Sequence, residues 1–445
     1  METKKGILLA FLVLAFFLTI FWTGSLGLLF LVCLALAIFG LSFFYPRPAL
    51  IAMIILRTAT DFLTDQEIFH FGQWSINFTS LMGVLAIIFA LVVFIKATPW
   101  REKIPLAVNW LLLLAVAIIF LAFSVDLKLS LIEILRWSSF FALFILGFFL
   151  FKNGRQTTLL IKTLIFSSVI PVIVALVQGL NGTGFFDGTR WRANGTFVHP
   201  NMLAFYLVYI LTLSLFIFLT LKREAIEKYF YLLFSLPVFA ALILTYTRGA
   251  WVCLALILIL IGLSRFRLFL VSALLVFVLF YAAAAPFQER VNSLLSFSAS
   301  DSTVWRLDLW RDALGYAQVH PLVGYGAGTA PLIIGQNRSV ILGSSEPHND
   351  YIKIILETGA AGLIVFLSLI VNLLVKLGQG WREETRPRRK LLFMFMLIFS
   401  FAFYLMSAGD NLLKDSSLQW SFWVLNGALM FSYAELKNKK STVQN

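Results

Sequence analysis

The chain has 445 residues, of which 60% are apolar and only 13% charged, and its mean hydropathy is +0.91. That composition excludes a water-soluble globular fold and points to a membrane protein. The formal charge of +13 suits either nucleic acid or anionic lipid as a partner, and its distribution along the chain decides between them.

Apolar stretches, most of roughly 17 to 22 residues, match the length that a helix needs to cross a ~30 Å hydrocarbon core. In chain order they cover 6–22, 25–44, 48–58, 79–95, 105–123, 131–151, 158–178, 201–221, 229–247, 249–263, 268–285, 349–376, 391–406 and 418–434. Long continuous runs, rather than short alternating ones, predict an all-α polytopic bundle of about 12–14 spans and not a β-barrel, because a helix satisfies its own backbone in lipid. The 48–58 stretch is too short to cross alone and is either extended by polar neighbours or re-entrant. The first stretch follows Lys4 and Lys5 as a signal sequence would, but it lacks a small-residue cleavage pattern and reads as a retained helix.

With the amino terminus placed inside, the inner segments hold 23 of the 35 basic residues and 7 of the 22 acidic ones. This positive-inside pattern predicts a bacterial inner-membrane protein with both termini cytoplasmic. Topology and anionic membrane lipid then account for the net charge, and no nucleic-acid partner is expected. Cys33 and Cys253 fall within spans, so neither a disulfide framework nor a thiolate metal site is available. The expected organisation is helices 1–11 over residues 1–285, an extracytoplasmic loop module over 286–346, and helices 12–14 with a cytoplasmic tail over 347–445.

Two outer connections are long, 179–200 and 286–346, and long ordered loops tend to carry function. In the second, Val304, Leu307, Leu314 and Ala317 form an apolar stripe at helical spacing, with Arg306, Asp308 and Asp312 off it, which predicts a helix lying over the bundle. Gly324, Gly326 and Gly328 follow His320-Pro321. No strand precedes them, so they read as a flexible turn and not as a dinucleotide fingerprint.

Chemistry concentrates where three spans start outside and run inward: after Arg192-Ala-Asn-Gly-Thr-Phe-Val-His-Pro-Asn201, at Tyr246-Thr-Arg248-Gly249, and at Glu346-Pro347-His348-Asn349-Asp350. Each start aims unpaired N–H groups and a partial positive charge at the boundary, which attracts anions. Arg192 and Arg248 add planar donor forks suited to a diphosphate. Taken alone, Arg192 reads equally as a snorkelling cation and Arg248 as a topology marker, although an arginine at that depth needs a partner. His348 stands where a helix start disfavours a cation, so its ring is placed either to accept a proton or simply to cap the helix. Asp350, Lys353 and Glu357 form a polar stripe that must face the bundle interior, and bracing is its favoured role. His70 and His199 read as structural, and Asp61, Asp65 and Glu67 lack metal-site spacing, so neither metal nor cofactor is expected.

The order R-A-N-G-T-F-V-H-P-N from Arg192, T-R-G at Arg248, W-R-D-A-L with H-P-L-V-G-Y-G-A-G from Trp310, and H-N-D-Y-I with L-E-T-G-A-A-G from His348 resembles the O-antigen ligase and O-antigen polymerase superfamily. The resemblance covers roughly residues 180–365. It implies a GT-C-like helical membrane enzyme that moves a glycan from undecaprenyl diphosphate to a saccharide hydroxyl on the outer face, without a metal and with inversion at the anomeric carbon. By that resemblance Arg192 and Arg248, with Arg190 and Arg306 as further contacts, hold the donor diphosphate, and His348 activates the acceptor hydroxyl. Asn201, Asn349, Asp350 and Glu357 are the supporting residues. The acceptor is lipid A core for a ligase, the growing lipid-linked glycan for a polymerase, or protein for an oligosaccharyltransferase, and His348 favours the ligase. The reading of a different class, a lipid-linked glycan flippase or transporter, calls for inverted repeats, broken helices and charges near the midplane. Here the polar groups crowd one face, with Glu357 the exception.

Overall fold

The computed structural model describes residues 25–64, 66–71, 74–97, 103–221, 225–267, 302–337 and 345–444, with scattered positions between 268 and 301. The span expected at 6–22, most of that at 268–285, Asp65 and the side chains of His70 and Val304 lie outside the described residues. Each remaining expected span falls on a helix. In chain order these are α1 (Ser25–Ser42), α2 (Pro46–Ala59), α3 (Phe78–Lys96), α4 (Ala107–Ile119), α5 (Leu127–Leu150), α6 (Gly154–Phe166), α7 (Val169–Asn181), α8 (Pro200–Thr220), α9 (Glu227–Leu244) and α10 (Arg248–Ser264). The loop module contributes α11 (Ser302–Ala317) and α12 (Ala330–Asn337), before α13 (Asp350–Glu383), α14 (Pro387–Met406) and α15 (Ser416–Gln444). The expected 158–178 span is split between α6 and α7 at Ser167 and Ser168. Two small antiparallel hairpins interrupt the helices, β1 (Glu67–Phe71) with β2 (Trp74–Asn77) and β3 (Phe185–Phe186) with β4 (Trp191–Arg192).

The protein is therefore an all-α polytopic bundle. Among the described residues, 7 helical segments are long and apolar enough to cross a membrane. Others of the expected spans fall short for physical reasons. The 14-residue α2 is too short to cross alone, and α15 carries Ser, Gln and Asn side chains that lipid would not accept. They are tolerated because α15 is the centre of the bundle: every residue from Asp415 to Met430 is buried. Several of its polar groups find partners there, with Trp420 Nε1 donating to Ser139 Oγ at 3.0 Å and Ser421 O accepting from Tyr209 at 3.1 Å.

Helices α5 and α15 pack backbone to backbone. A Cβ on Gly147 would collide with the Val424 backbone, and one on Gly427 with the Phe144 carbonyl. Bare backbones at both crossings are what allow the two helices to approach so closely, since small residues replace the hydrophobic driving force that lipid does not supply.

The loop module packs on the start of α13 through a second core of Leu309, Ala313 and Ala317 with Ala330, Ile333, Ile334, Ile352 and Leu356. This corrects the expected stripe. The helix is present, but Leu307 and Leu314 are 55% and 43% exposed, because the residues four apart from Leu309, not those seven apart from Leu307, meet α13.

The glycine run is not a flexible turn either. Within α13, Gly359 leaves the helical conformation at φ 62°, and the strap from Pro321 to Gly328 fills the break. Tyr325 N donates to Leu356 O at 3.0 Å, Gly326 N to Glu357 O at 2.8 Å, and Ala360 N to Pro321 O at 2.8 Å. Gly324, at φ 69°, lies so close to the Glu357–Thr358 backbone that no side chain fits. The broken helix thus recovers its backbone hydrogen bonds from the strap, as burial away from water requires.

Replacing Gly427 by Val should overpack the α5–α15 crossing and cost roughly 1–3 kcal/mol or more, while Gly40→Ala, where nothing lies within 4 Å, should leave stability unchanged. The thermal unfolding midpoint in detergent measures both, and equal midpoints would contradict the close-packing account.

Candidate functional site

The three inward-running helix starts, of α8, α10 and α13, meet. The β3–β4 hairpin delivers Arg192, whose Nε donates to Thr245 O at 2.9 Å and whose Nη2 donates to Asn201 Oδ1 at 2.9 Å and Thr247 Oγ1 at 3.1 Å. One guanidinium thereby ties the hairpin to the first turn of α8 and to the residue preceding Arg248. Its other terminal nitrogen lies 4.0 Å from Asp187 Oδ2. Arg190, on the exposed hairpin tip, places its guanidinium 5.3 Å from the Tyr246 ring centre. Arg248 opens α10 directly after Thr247 and is half-buried.

Asn201 carries the network onward, its amide donating to Asp410 Oδ2 at 2.6 Å. The other oxygen, Oδ1, is 3.5 Å from His348 Nδ1. Asp410 lies in the short turn between α14 and α15, and that turn is stitched to the start of α13. Asn349 caps α13 and donates to Ala408 O at 2.9 Å. Asp350 Oδ2 accepts from Leu412 and Leu413 N–H at 2.9 and 3.1 Å, and Lys414 pairs with Glu346 at 2.6 Å. Arg306 reaches over from α11 and donates to Gly409 O at 2.9 Å. Trp310 Nε1 donates to Pro347 O at 2.7 Å, and the Trp305 ring stands edge-on to His348 at 6.0 Å.

Burial alone would raise the Asp410 carboxyl, but the adjacent His348 and Arg306 hold it below the usual aspartate range, so it is ionised. His199 behaves in the opposite way. Burial, with repulsion from Arg192, His348 and Lys414, outweighs the attraction of Asp410 and brings its imidazole down to about 4. Its Nδ1 accepts the Asn201 N–H at 3.1 Å and so caps α8.

Two residues of the site hold unfavourable backbone. Tyr246 and His348 adopt φ of 51° and 48°, the left-handed region that costs a non-glycine residue on the order of 1 kcal/mol. Each precedes one of the convergent helices, so the surrounding contacts enforce strain where the network closes.

The structure thus gathers Arg192, Asn201, Arg306, His348, Asn349 and Asp350, with Arg248 adjoining through Thr247 and Arg190 at the rim. It leaves Glu357 deeper. That carboxylate accepts the Ala330 N–H at 3.3 Å and faces Lys353, which pairs with Glu133 at 2.8 Å. Asp410 and Trp305 were missed by the motif analysis, and Trp310, which opens one of its motifs, was given no role. An acid beside a glycine in the short Ala408-Gly409-Asp410-Asn411 turn, which must lie at the same end of the bundle as His348, was the available signal.

Fold and site together define a class: a polytopic helical membrane protein with an arginine-rich, histidine-bearing polar cluster at one end of the bundle. Residues 230–367 match the family model described as O-Antigen ligase. That segment includes Arg248, Arg306 and His348, while Arg192 and Asp410 lie outside it. Over 117 residues the chain is 29% identical to the "Putative polysaccharide ligase" of Rickettsia felis, a match covering 24% of this chain and 29% of that protein. The chain is therefore similar to the O-antigen ligase superfamily over its central part.

The unfolded histidine takes up its proton near pH 6.5, whereas folded His199 does so only near pH 4. Unfolding consequently binds protons across that window, and stability falls as pH is lowered through it. His199→Asn keeps a helix-capping acceptor and should lose less of its thermal midpoint between about pH 6.5 and about pH 4 than the wild type. A variant with the same acid sensitivity would remove His199 as its source.

Proposed function

We propose that the protein transfers a glycan from undecaprenyl diphosphate to a saccharide hydroxyl at the outer face of the bacterial inner membrane, as an O-antigen-ligase-type, metal-independent inverting glycosyltransferase. The observation that carries this reading is the Arg192–Asn201–Asp410–His348 network, which puts a diphosphate-binding group and a proton acceptor into one connected cluster.

In this reading the acceptor oxygen attacks the anomeric carbon as the bond to the diphosphate oxygen breaks. The electron pair leaves with the diphosphate and the proton passes to His348. Asp410, beside Nδ1, holds the ring and stabilises the imidazolium that forms, leaving Nε2 as the nitrogen that takes the proton. Arg192 and Arg248 stabilise the charge that develops on the leaving diphosphate. Arg192 is held on three sides, so its fork is preorganised. Arg190 and Arg306 lie at the flanks. The loop module over α13 forms a wall of the acceptor cleft, and lipid A core is the favoured acceptor. The positive-inside distribution supports cytoplasmic termini and an extracytoplasmic site.

A second reading, a flippase for lipid-linked glycan, is favoured by one observation, the break in α13 at Gly359 beside buried Glu133, Lys353 and Glu357. Against it, the break is filled by the protein's own strap.

The test supplies purified protein in lipid nanodiscs with undecaprenyl-diphosphate glycan and, separately, core lipid, a shorter lipid-linked glycan, or protein. Product should form with core lipid. His348→Ala should reduce the rate about 10²–10⁴-fold, Arg192→Ala and Arg248→Ala about 10²-fold or more, and Asp410→Asn at least about tenfold, with folded protein retained. Unchanged rates in all four variants would sink the site, and glycan crossing a vesicle membrane without product would replace transfer by transport.

A further inference from the structure

A second polar cleft lies apart from this network, between the amino-terminal ends of α3 and α15 and the upper part of α5. It has a cavity volume of about 30 Å³, opens to the surface, and is lined by Asn77, Ser80, Gly83, Arg136 and Ser416 with Trp420 behind them. It shares no residue with the Arg192–Asp410–His348 cluster.

The chemistry of the lining is one-sided. Asn77 uses its Oδ1 to cap α3 by accepting the Ser80 N–H at 2.8 Å, which leaves its amide N–H₂ to donate. The hydroxyls of Ser80 and Ser416 have no hydrogen-bond partner among the described residues. Arg136 gives one nitrogen to Glu133 and keeps its side chain 20% exposed. Glu133 is shared, because Lys353 at 2.8 Å and Trp137 at 3.1 Å also bind it, so the guanidinium is not spent on that contact. Among the described lining residues there is no carboxylate. Of the nearby acids, Asp61 pairs with Arg57 at 2.7 Å, and Asp415 uses Oδ1 to cap α15 at Leu418 N at 3.0 Å while its Oδ2 is buried without a hydrogen-bond partner among the described residues.

A guanidinium, an amide and two unpaired hydroxyls therefore converge on one small space, and the starts of two long helices add their partial positive charge. Such a site calls for a compact ligand made of acceptors. Beside the lining residues, Val84 and Leu131 are 37% and 38% exposed, so the mouth adjoins the apolar flank of the bundle. We infer that this cleft binds a phosphate ester, carried by a lipid headgroup or by a phosphorylated saccharide that travels along the membrane. The inference stands independently of glycan transfer at His348.

The full chain in dodecyl maltoside, which carries no phosphate, is titrated with inorganic phosphate, with dioleoyl phosphatidylglycerol in mixed micelles, and with chloride as the ionic-strength control, and the thermal midpoint is followed. Gly83→Val places a side chain in the mouth, where the new Cβ meets only Ser139 Cβ at 3.7 Å, and leaves Arg136 in place. Arg136→Gln removes the charge.

The expected result is a saturable rise in midpoint with at least one phosphate probe and none with chloride. Half-saturation should weaken at least tenfold in Gly83→Val and in Arg136→Gln and stay unchanged in Gly40→Ala, which lies in neither site. A response to phosphatidylglycerol alone assigns the lipid headgroup, and a response to inorganic phosphate as well assigns a free or saccharide-borne phosphate. If Arg136→Gln does not fold, Gly83→Val and the Ser80→Ala, Ser416→Ala double variant carry the comparison. An undiminished response in Gly83→Val, or no response to either probe, would overturn the assignment.

Discussion

Hydrocarbon offers no hydrogen bonds, and this single constraint governs the parts of the bundle that are not plain helix. Wherever the chain stops being regular or carries charge, another part of the protein must supply the partner. The break at Gly359 recovers its lost backbone bonds from the strap at Pro321–Gly326. Lys353 finds Glu133 and Glu357, and the carboxylate of Asp350 takes up the N–H groups of Leu412 and Leu413. Each such repair joins segments far apart in sequence, so the demands of burial and the assembly of the site are met by the same contacts.

The site itself is a case of order imposed on unfavourable pieces. Tyr246 and His348 hold backbone angles that neither would choose, and Asp410 and Asn349 are buried polar groups. What stabilises them is mutual: Asn201 bridges Arg192 and Asp410, and Asn349 ties the α13 start to the turn carrying Asp410. A network whose members are held from several sides keeps its donors aimed before any ligand arrives, and preorganisation of that kind makes charge stabilisation effective. Of the three non-glycine residues with left-handed backbone among the described residues, Leu106, Tyr246 and His348, two stand at helix starts of the site, which accords with a site held in geometry rather than one formed on demand.

Much of this was legible in the sequence, for identifiable reasons. Hydropathy locates spans because lipid enforces length, and α3, α5, α8, α13 and α14 stand where the apolar runs do. The proximity of Arg192, Asn201 and His348 was readable because alternating spans bring every second helix start to the same end. What was not readable depends on tertiary contact. The face that α11 buries is chosen by Ile352 and Leu356 of α13, and nothing in its own pattern distinguishes Leu309 from Leu307. The rigidity of the 324–328 glycine run comes from a break in a helix some thirty residues on. Asp410 carries no motif of its own, and its significance comes from the residues that the turn faces.

The burial of α15 has a consequence for how the molecule is made. The helix at the centre of the bundle follows the other described helices in the sequence, and its glycine crossing with α5 joins residue 147 to residue 424. During synthesis the surrounding helices enter the membrane while their common axis is still missing, so the groove that later receives Trp420 and Trp423 must be occupied by lipid or by neighbouring helices until α15 arrives. That span is rich in serine and amide side chains that bind poorly to lipid, so it has every reason to leave the bilayer for the groove. The Asp410 turn directly precedes it, and the polar cluster at His348 is therefore complete only when α15 has docked.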